Sequence, residues 1–143
     1  MNVRLFALMG AFIAALTAGA VEPFTGIFGN DECKVRLHIN ITDKNIIVPD
    51  QEIFGELDGY FSCDGCTTVW PIVSAEKLNG RGTKAEIEVI NNYGSENFTA
   101  TLTQIDDNTL LFEHRDGSTF KFPVNKKWLK VPSKIKLVRS NKK

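Results

Sequence analysis

Residues 85–124 read AEIEVINNYGSENFTATLTQIDDNTLLFEHRDGSTFKFPV, and their alternation decides the fold class. Ala85, Ile87 and Val89 alternate with Glu86 and Glu88, and Phe98, Ala100 and Leu102 alternate with Thr99, Thr101 and Thr103. Leu110 and Phe112 follow Asp106-Asp107-Asn108, while Phe120, Phe122 and Val124 follow Asp116-Gly117. A period of two with one apolar face marks half-buried antiparallel strands, and Asp-Gly between such runs marks a hairpin. The chain is therefore expected to be all-β.

Working outward, Cys33 to Ile41 continues the pattern, with Val35, Leu37 and Ile39 inward and Arg36, His38 and Asn40 outward. Ile46-Ile47-Val48 follows a turn at Asp43-Lys44-Asn45. Ile53 to Phe61 reads as a strand in which Gly55 and Gly59 fall in phase with Leu57 and Phe61. Glycines so placed allow strong curvature or close backbone approach. Thr67 to Val73 returns after Asp64-Gly65, residues 74–83 read as a loop, and Trp128-Leu129 and Lys134 to Val138 supply closing strands. Val21 to Asn30, broken by proline and glycines, reads as a lead-in. About eight short strands in one domain make a small antiparallel barrel or sandwich the economical architecture.

The N-terminus reads as an export leader. Arg4 precedes an apolar run from Leu5 to Leu16, and Ala18-Gly19-Ala20 offers the small-x-small site of a signal peptidase. Cleavage is expected before Val21, leaving residues 21–143 as one domain. The run is shorter than the roughly 20 residues a membrane span requires, so no span is expected. The expected location is secreted, or periplasmic in a Gram-negative bacterium.

Three cysteines, Cys33, Cys63 and Cys66, make a disulfide the default in an exported chain. Closing a loop of about 30 residues from Cys33 to Cys63 is worth roughly 3.5 kcal/mol, against roughly 2 kcal/mol for the short Cys63–Cys66 loop. Loop entropy therefore favours Cys33 paired with one of the other two. A thioredoxin-type use of Cys63-Asp64-Gly65-Cys66 is disfavoured, because that chemistry uses a helix N-terminus inside a βαβ unit. A zinc knuckle with His38 is disfavoured because His38 faces away from Cys33. No metal or cofactor is expected.

Catalytic signatures are missing from the sequence: no Gly-x-Ser-x-Gly, His-Glu-x-x-His or phosphate loop occurs. Glu56 with Asp58, and Glu86 with Glu88, are neighbours on one strand face, where carboxylates ordinarily form solvated surface. His114 reads as a rim residue. No enzymatic activity is expected, and a hydrolase built on these carboxylates or His114 is the weaker alternative.

Overall neutrality hides a charge asymmetry. All 17 acidic residues lie between Glu22 and Asp116, whereas Gly117 to Lys143 holds only basic ones. Cross-strand pairing of Lys121 or Lys136 with Glu86, Glu88 or Glu113 would account for part of this. Lys126, Lys127, Lys130, Lys134, Lys136 and Arg139 are the candidate contacts for an anionic glycan or another protein. Nucleic acid is not an expected partner. Trp70, Trp128 and Tyr60 are candidate aromatic anchors, since such residues dominate interface energetics. Asn40 and Asn97 begin Asn-x-Thr sequons, glycosylation candidates in a eukaryote. The sequence thus points to a secreted binding protein acting through hairpin loops and a basic C-terminal edge. The alternative is a small-molecule or lipid carrier with a barrel cavity.

Overall fold

In the computed structural model, which describes residues 23–78 and 82–140, the alternating runs close into a barrel. Its strands are β1 (Thr25–Asn30), β2 (Val35–Asn40), β5 (Gly59–Cys63), β6 (Trp70–Lys77), β7 (Lys84–Ile90), β8 (Asn97–Asp106), β9 (Thr109–Gly117) and β12 (Lys134–Arg139). The order around the wall is β1-β12-β9-β8-β7-β6-β5-β2, and β1 pairs with β2 to complete the ring. Every neighbouring pair in it is antiparallel. Closure removes the exposed edges that an open sheet would present.

Registers follow the sequence pattern. Ala85 faces Leu102, Ile87 faces Ala100 and Val89 faces Phe98, so the apolar set of β7 meets that of β8. Leu102 in turn faces Phe112. Inside, Phe61, Phe98, Phe112 and Phe120 meet one another with ring centroids 4.9–6.2 Å apart. These spacings are those of edge-to-face and offset aromatic packing. Phe120, on the connection leaving β9, also touches Trp70 and Phe122 and so lies at the centre of the cluster.

Two small sheets stand outside the barrel. β3 (Ile46–Ile47) pairs with β4 (Glu56–Leu57), joined through a 3-10 turn at Glu52–Phe54. Their Ile46 and Leu57 cover a second cluster of Val48, Tyr60 and Val69. β10 (Lys121–Val124) pairs with β11 (Lys127–Lys130), with Pro123 opposite Trp128. The turn residues Asn125 and Lys126 both have positive φ, 54° and 66°, the signature of a two-residue type I′ hairpin.

Several strand readings need correction. Val21 to Asn30 is no lead-in: Thr25–Asn30 is a barrel strand whose alternation Gly26 and Gly29 conceal. Ile53 to Phe61 is not one strand. The 3-10 turn and a φ of 71° at Gly55 break it, and the chain joins the barrel only at Gly59. β6 starts later than expected, at Trp70, and continues to Lys77, shortening the expected loop. Residues 79–81, Gly80 among them, lie outside the described residues, as do the leader (1–20), Lys142 and Lys143. Trp128 and Leu129 close no barrel, because β11 pairs with β10 instead.

Candidate functional site

The described residues bring no three of His, Cys, Asp and Glu together in a way that could hold a metal ion. The β10–β11 hairpin carries an exposed tryptophan beside several exposed lysines.

Trp128 stands 62% exposed on this hairpin, although its neighbours Phe122 and Val131 are buried. The Lys121 ammonium sits 5.0 Å from the indole centroid and 3.4 Å from Glu96 Oε2. Lys121 thus joins a cation–π contact to an ion pair. Behind it, the Trp70 indole N–H donates to the Lys121 carbonyl oxygen at 3.0 Å, tying the hairpin to the barrel interior.

Three hollows surround β11. One, of about 180 Å³, runs between Trp128 and the β7–β8 loop and is lined by Thr68, Trp70, Asn91, Asn92, Tyr93, Glu96, Lys121 and Pro123. On the other side of Trp128 a hollow of about 280 Å³ is lined by Glu32, Lys34, Val124, Lys127 and Leu129. The third, of about 290 Å³, continues past Lys130 to Cys33, Pro132 and Ile135.

Of the expected basic residues, Lys126, Lys127, Lys130, Lys134 and Lys136 are all exposed. Lys126, Lys127 and Lys130 cluster on the hairpin, and none forms an ion pair among the described residues. Lys134 lies opposite Glu113, and Lys136 opposite Leu111, on the barrel wall. Arg139 is committed elsewhere. Its Nη1 donates to the Thr25 carbonyl at 2.7 Å, its Nε and Nη2 donate to that of Asp107, and the guanidinium lies over the Phe28 ring. That side chain stitches the β1–β12 seam. The expected pairing of Lys121 with a strand glutamate is replaced by its bond to Glu96 on the β7–β8 loop.

Two of the three aromatic anchors are buried. Trp70 is 2% exposed because β6 turns it into the barrel against Phe98 and Phe120. Tyr60 is 9% exposed: it points outward, but the β3–β4 flap covers it and His38 stacks on it at 4.5 Å. Tyr93, 81% exposed, is a more accessible ring than either. Sequence reasoning missed it for want of strand alternation in its loop, although Asn-Tyr-Gly signals an exposed turn tip.

No family model, curated protein or solved structure matches this chain. The site therefore rests on its own geometry.

The cysteines depart from the loop-entropy expectation. Cys63 and Cys66 form the disulfide, with Cα atoms 5.6 Å apart, and Cys33 is a buried free thiol whose pKa burial pushes upward. The tight turn at Asp64-Gly65 brings the near pair together, a local geometry that loop entropy ignores.

Other candidates are structural. Asp58 is no solvated carboxylate: it is buried and accepts a hydrogen bond from Lys44 Nζ at 2.6 Å. His114 Nε2 lies 2.8 Å from the Ser118 carbonyl oxygen, and its ring stacks on Phe98. Those contacts engage it with backbone and core. Asn97 is exposed, whereas the Asn40 amide is held by Asp43 at 2.9 and 3.3 Å.

Proposed function

We propose that this chain is a secreted binding module without enzymatic activity, which docks an acidic partner on the β10–β11 hairpin. The observation that carries the reading is the exposed Trp128 flanked by Lys126, Lys127 and Lys130 on a hairpin separate from the barrel wall. An exposed aromatic ring within a patch of one charge sign suits an interface: the ring supplies buried area and the charges steer encounter. The leader-like first 20 residues support export.

Backbone geometry adds support. Lys126 occupies a left-handed position (φ 66°) that glycine fills at lower cost. A lysine there puts charge at the hairpin tip at some expense in local stability.

The aromatic cluster supports a binding surface over an interior carrier, since rings in mutual contact occupy the barrel's middle. An anionic glycan or an acidic protein surface both meet the requirement. The test is retention of the full chain on a heparin matrix and on an acidic protein matrix at low and high salt. Retention that salt weakens, and that Lys126→Gln/Lys127→Gln/Lys130→Gln abolishes without lowering Tm, supports the reading. Retention unchanged by the triple variant, or absent from both matrices, refutes it.

A further inference from the structure

We infer that the cleft between Tyr93 and Trp128 is a subsite for a single neutral pyranose ring of a glycan. This rests on the binding reading and extends it to a ligand class; it uses Trp128 of the hairpin but not Lys126, Lys127 or Lys130.

Three features define what fits. The first is the pair of accessible rings, Tyr93 and Trp128, lining one cleft of about 180 Å³. That is smaller than a drug-sized pocket and suited to one sugar ring. A pyranose presents a face of carbon-bound hydrogens, weakly positive, to the negative face of an aromatic ring. Its hydroxyls remain at the edge, where planar amides and carboxylates can take them.

The second feature is polar capacity at that edge. Asn91 builds the loop: its Oδ1 accepts the N–H groups of Ser95 and Glu96, and its Nδ2 donates to Ser95 Oγ. Asn92, beside it in the cleft lining, has a buried Oδ1 with no hydrogen-bond partner among the described residues, which meets a ligand hydroxyl once its amide turns toward the cleft. An unsatisfied acceptor of this kind gains from a donor hydroxyl. Glu96 adds a carboxylate, held by Lys121.

The third feature is charge. Glu96 and Lys121 are opposite in sign and already paired, so the cleft is close to neutral. Lys121 also fills the cationic position over Trp128, so the sugar face is assigned to Tyr93 while Trp128 walls the opposite side of the cleft. A quaternary ammonium, the usual guest of an aromatic cage, would be repelled by the resident ammonium. A neutral ring with hydroxyls meets no such repulsion. The backbone turn that carries Tyr93 is held in place, because the Gly94 N–H donates to the Asn91 carbonyl and the Asn91 N–H to that of Glu96.

The test is titration of the full chain with neutral hexasaccharides of β-1,4-glucose, β-1,3-glucose, β-1,4-N-acetylglucosamine and α-mannose. Tryptophan fluorescence and the Tyr93 ring signals in NMR are followed at about 0.5 M salt, where charge attraction is screened. At least one sugar should bind. Tyr93→Ala and Trp128→Ala, both at exposed positions, should each weaken it by roughly tenfold or more. Lys126→Gln/Lys127→Gln/Lys130→Gln should leave sugar affinity unchanged, so loss of heparin retention there tests the hairpin alone. No binding of any hexasaccharide up to about 10 mM, a free energy near −3 kcal/mol, overturns the assignment. Binding that survives both aromatic substitutions, or saturable binding of tetramethylammonium at this site, overturns it equally.

Discussion

The Trp70 indole N–H reaches across 51 residues of sequence to the carbonyl oxygen of Lys121, at 3.0 Å. One side chain thereby belongs to two places: its ring packs on Phe98 and Phe120 in the barrel, and its polar edge holds the first residue of β10. Buried tryptophan finds a partner for its N–H whenever the fold supplies one. The hairpin's position is thus set from within the core.

Trp70→Phe tests this directly. It deletes the donor and part of the ring, and should destabilise the chain by about 2 kcal/mol through the lost bond and the space left behind. Amide exchange should quicken on β10 and β11 more than on β7 and β8. Uniform quickening across all strands would show that the bond does not anchor the hairpin.

Gly59→Ala should cost about 2 kcal/mol or more. A Cβ at Gly59 would fall onto the carbonyl oxygen of His38 and approach Ile39 Cα, backbone atoms of β2 that cannot move aside. Gly55 gives the contrast. A Cβ there meets open space, so Gly55→Ala carries only the conformational cost of its φ of 71° and ψ of −153°, a region nearly exclusive to glycine, about 1–3 kcal/mol. Urea midpoints of both variants should fall, Gly59→Ala through contact with β2 and Gly55→Ala through its own backbone, and an unchanged midpoint for Gly59→Ala would contradict the packing account.

How far the sequence could be read follows from where each strand's second face looks. β7, β8 and β9 turn one face to the core and one to water for most of their length, so Ala85, Ile87, Val89, Leu102 and Phe112 are legible from period two alone. On β5 the outer face is covered as well. The β3–β4 flap buries Tyr60, and parity alone cannot report a covering element formed elsewhere in the chain. β1 was obscured by Gly26 and Gly29, which carry no side chain to declare a face. The Cys63–Cys66 bond turned on a local approach that loop entropy omits. At the candidate site the basic hairpin and Trp128 could be named from composition. Their union with Tyr93 depended on the fold bringing the β7–β8 loop beside β10 and β11.

The disulfide should contribute modestly. Closing a four-residue loop is worth at most about 2 kcal/mol, less than the longer Cys33 bridge would give. Cys63→Ser/Cys66→Ser should therefore fold, with Tm lowered by several degrees. In the native protein, alkylation should label no cysteine rapidly; after unfolding without reductant it should label Cys33 alone. A Cys33-linked peptide in a non-reducing map would reverse the assignment.

Stability should fall on mild acidification, and His38 identifies part of the cause. Burial under the Tyr60 stack holds its imidazole below the ordinary value of 6.5. The unfolded chain titrates near that ordinary value, so between the two pKa values it binds the extra proton. The contribution is complete above about pH 6.5 and is lost as pH falls through the folded value. Thermal midpoints of the chain and of His38→Gln, taken at pH 7.5 and pH 5, isolate this share from the carboxylates. The drop should be smaller in the variant; an equal drop would remove His38 from the account.

Lys126→Gly should separate stability from binding. Asn125-Lys126 forms a type I′ turn in which both residues have positive φ, and Asn-Gly is the pair that this turn favours. Glycine relieves the left-handed strain of Lys126, by about 1 kcal/mol, while deleting one exposed charge from the hairpin tip. Amide protection at Val124 and Lys127, the pair that closes the turn, should rise. Elution from heparin should move to lower salt, because the deleted charge belongs to the proposed contact surface. A lysine serving only as a solvated turn residue would show the gain in protection with no change in elution, and that result would count against placing the interface on this hairpin.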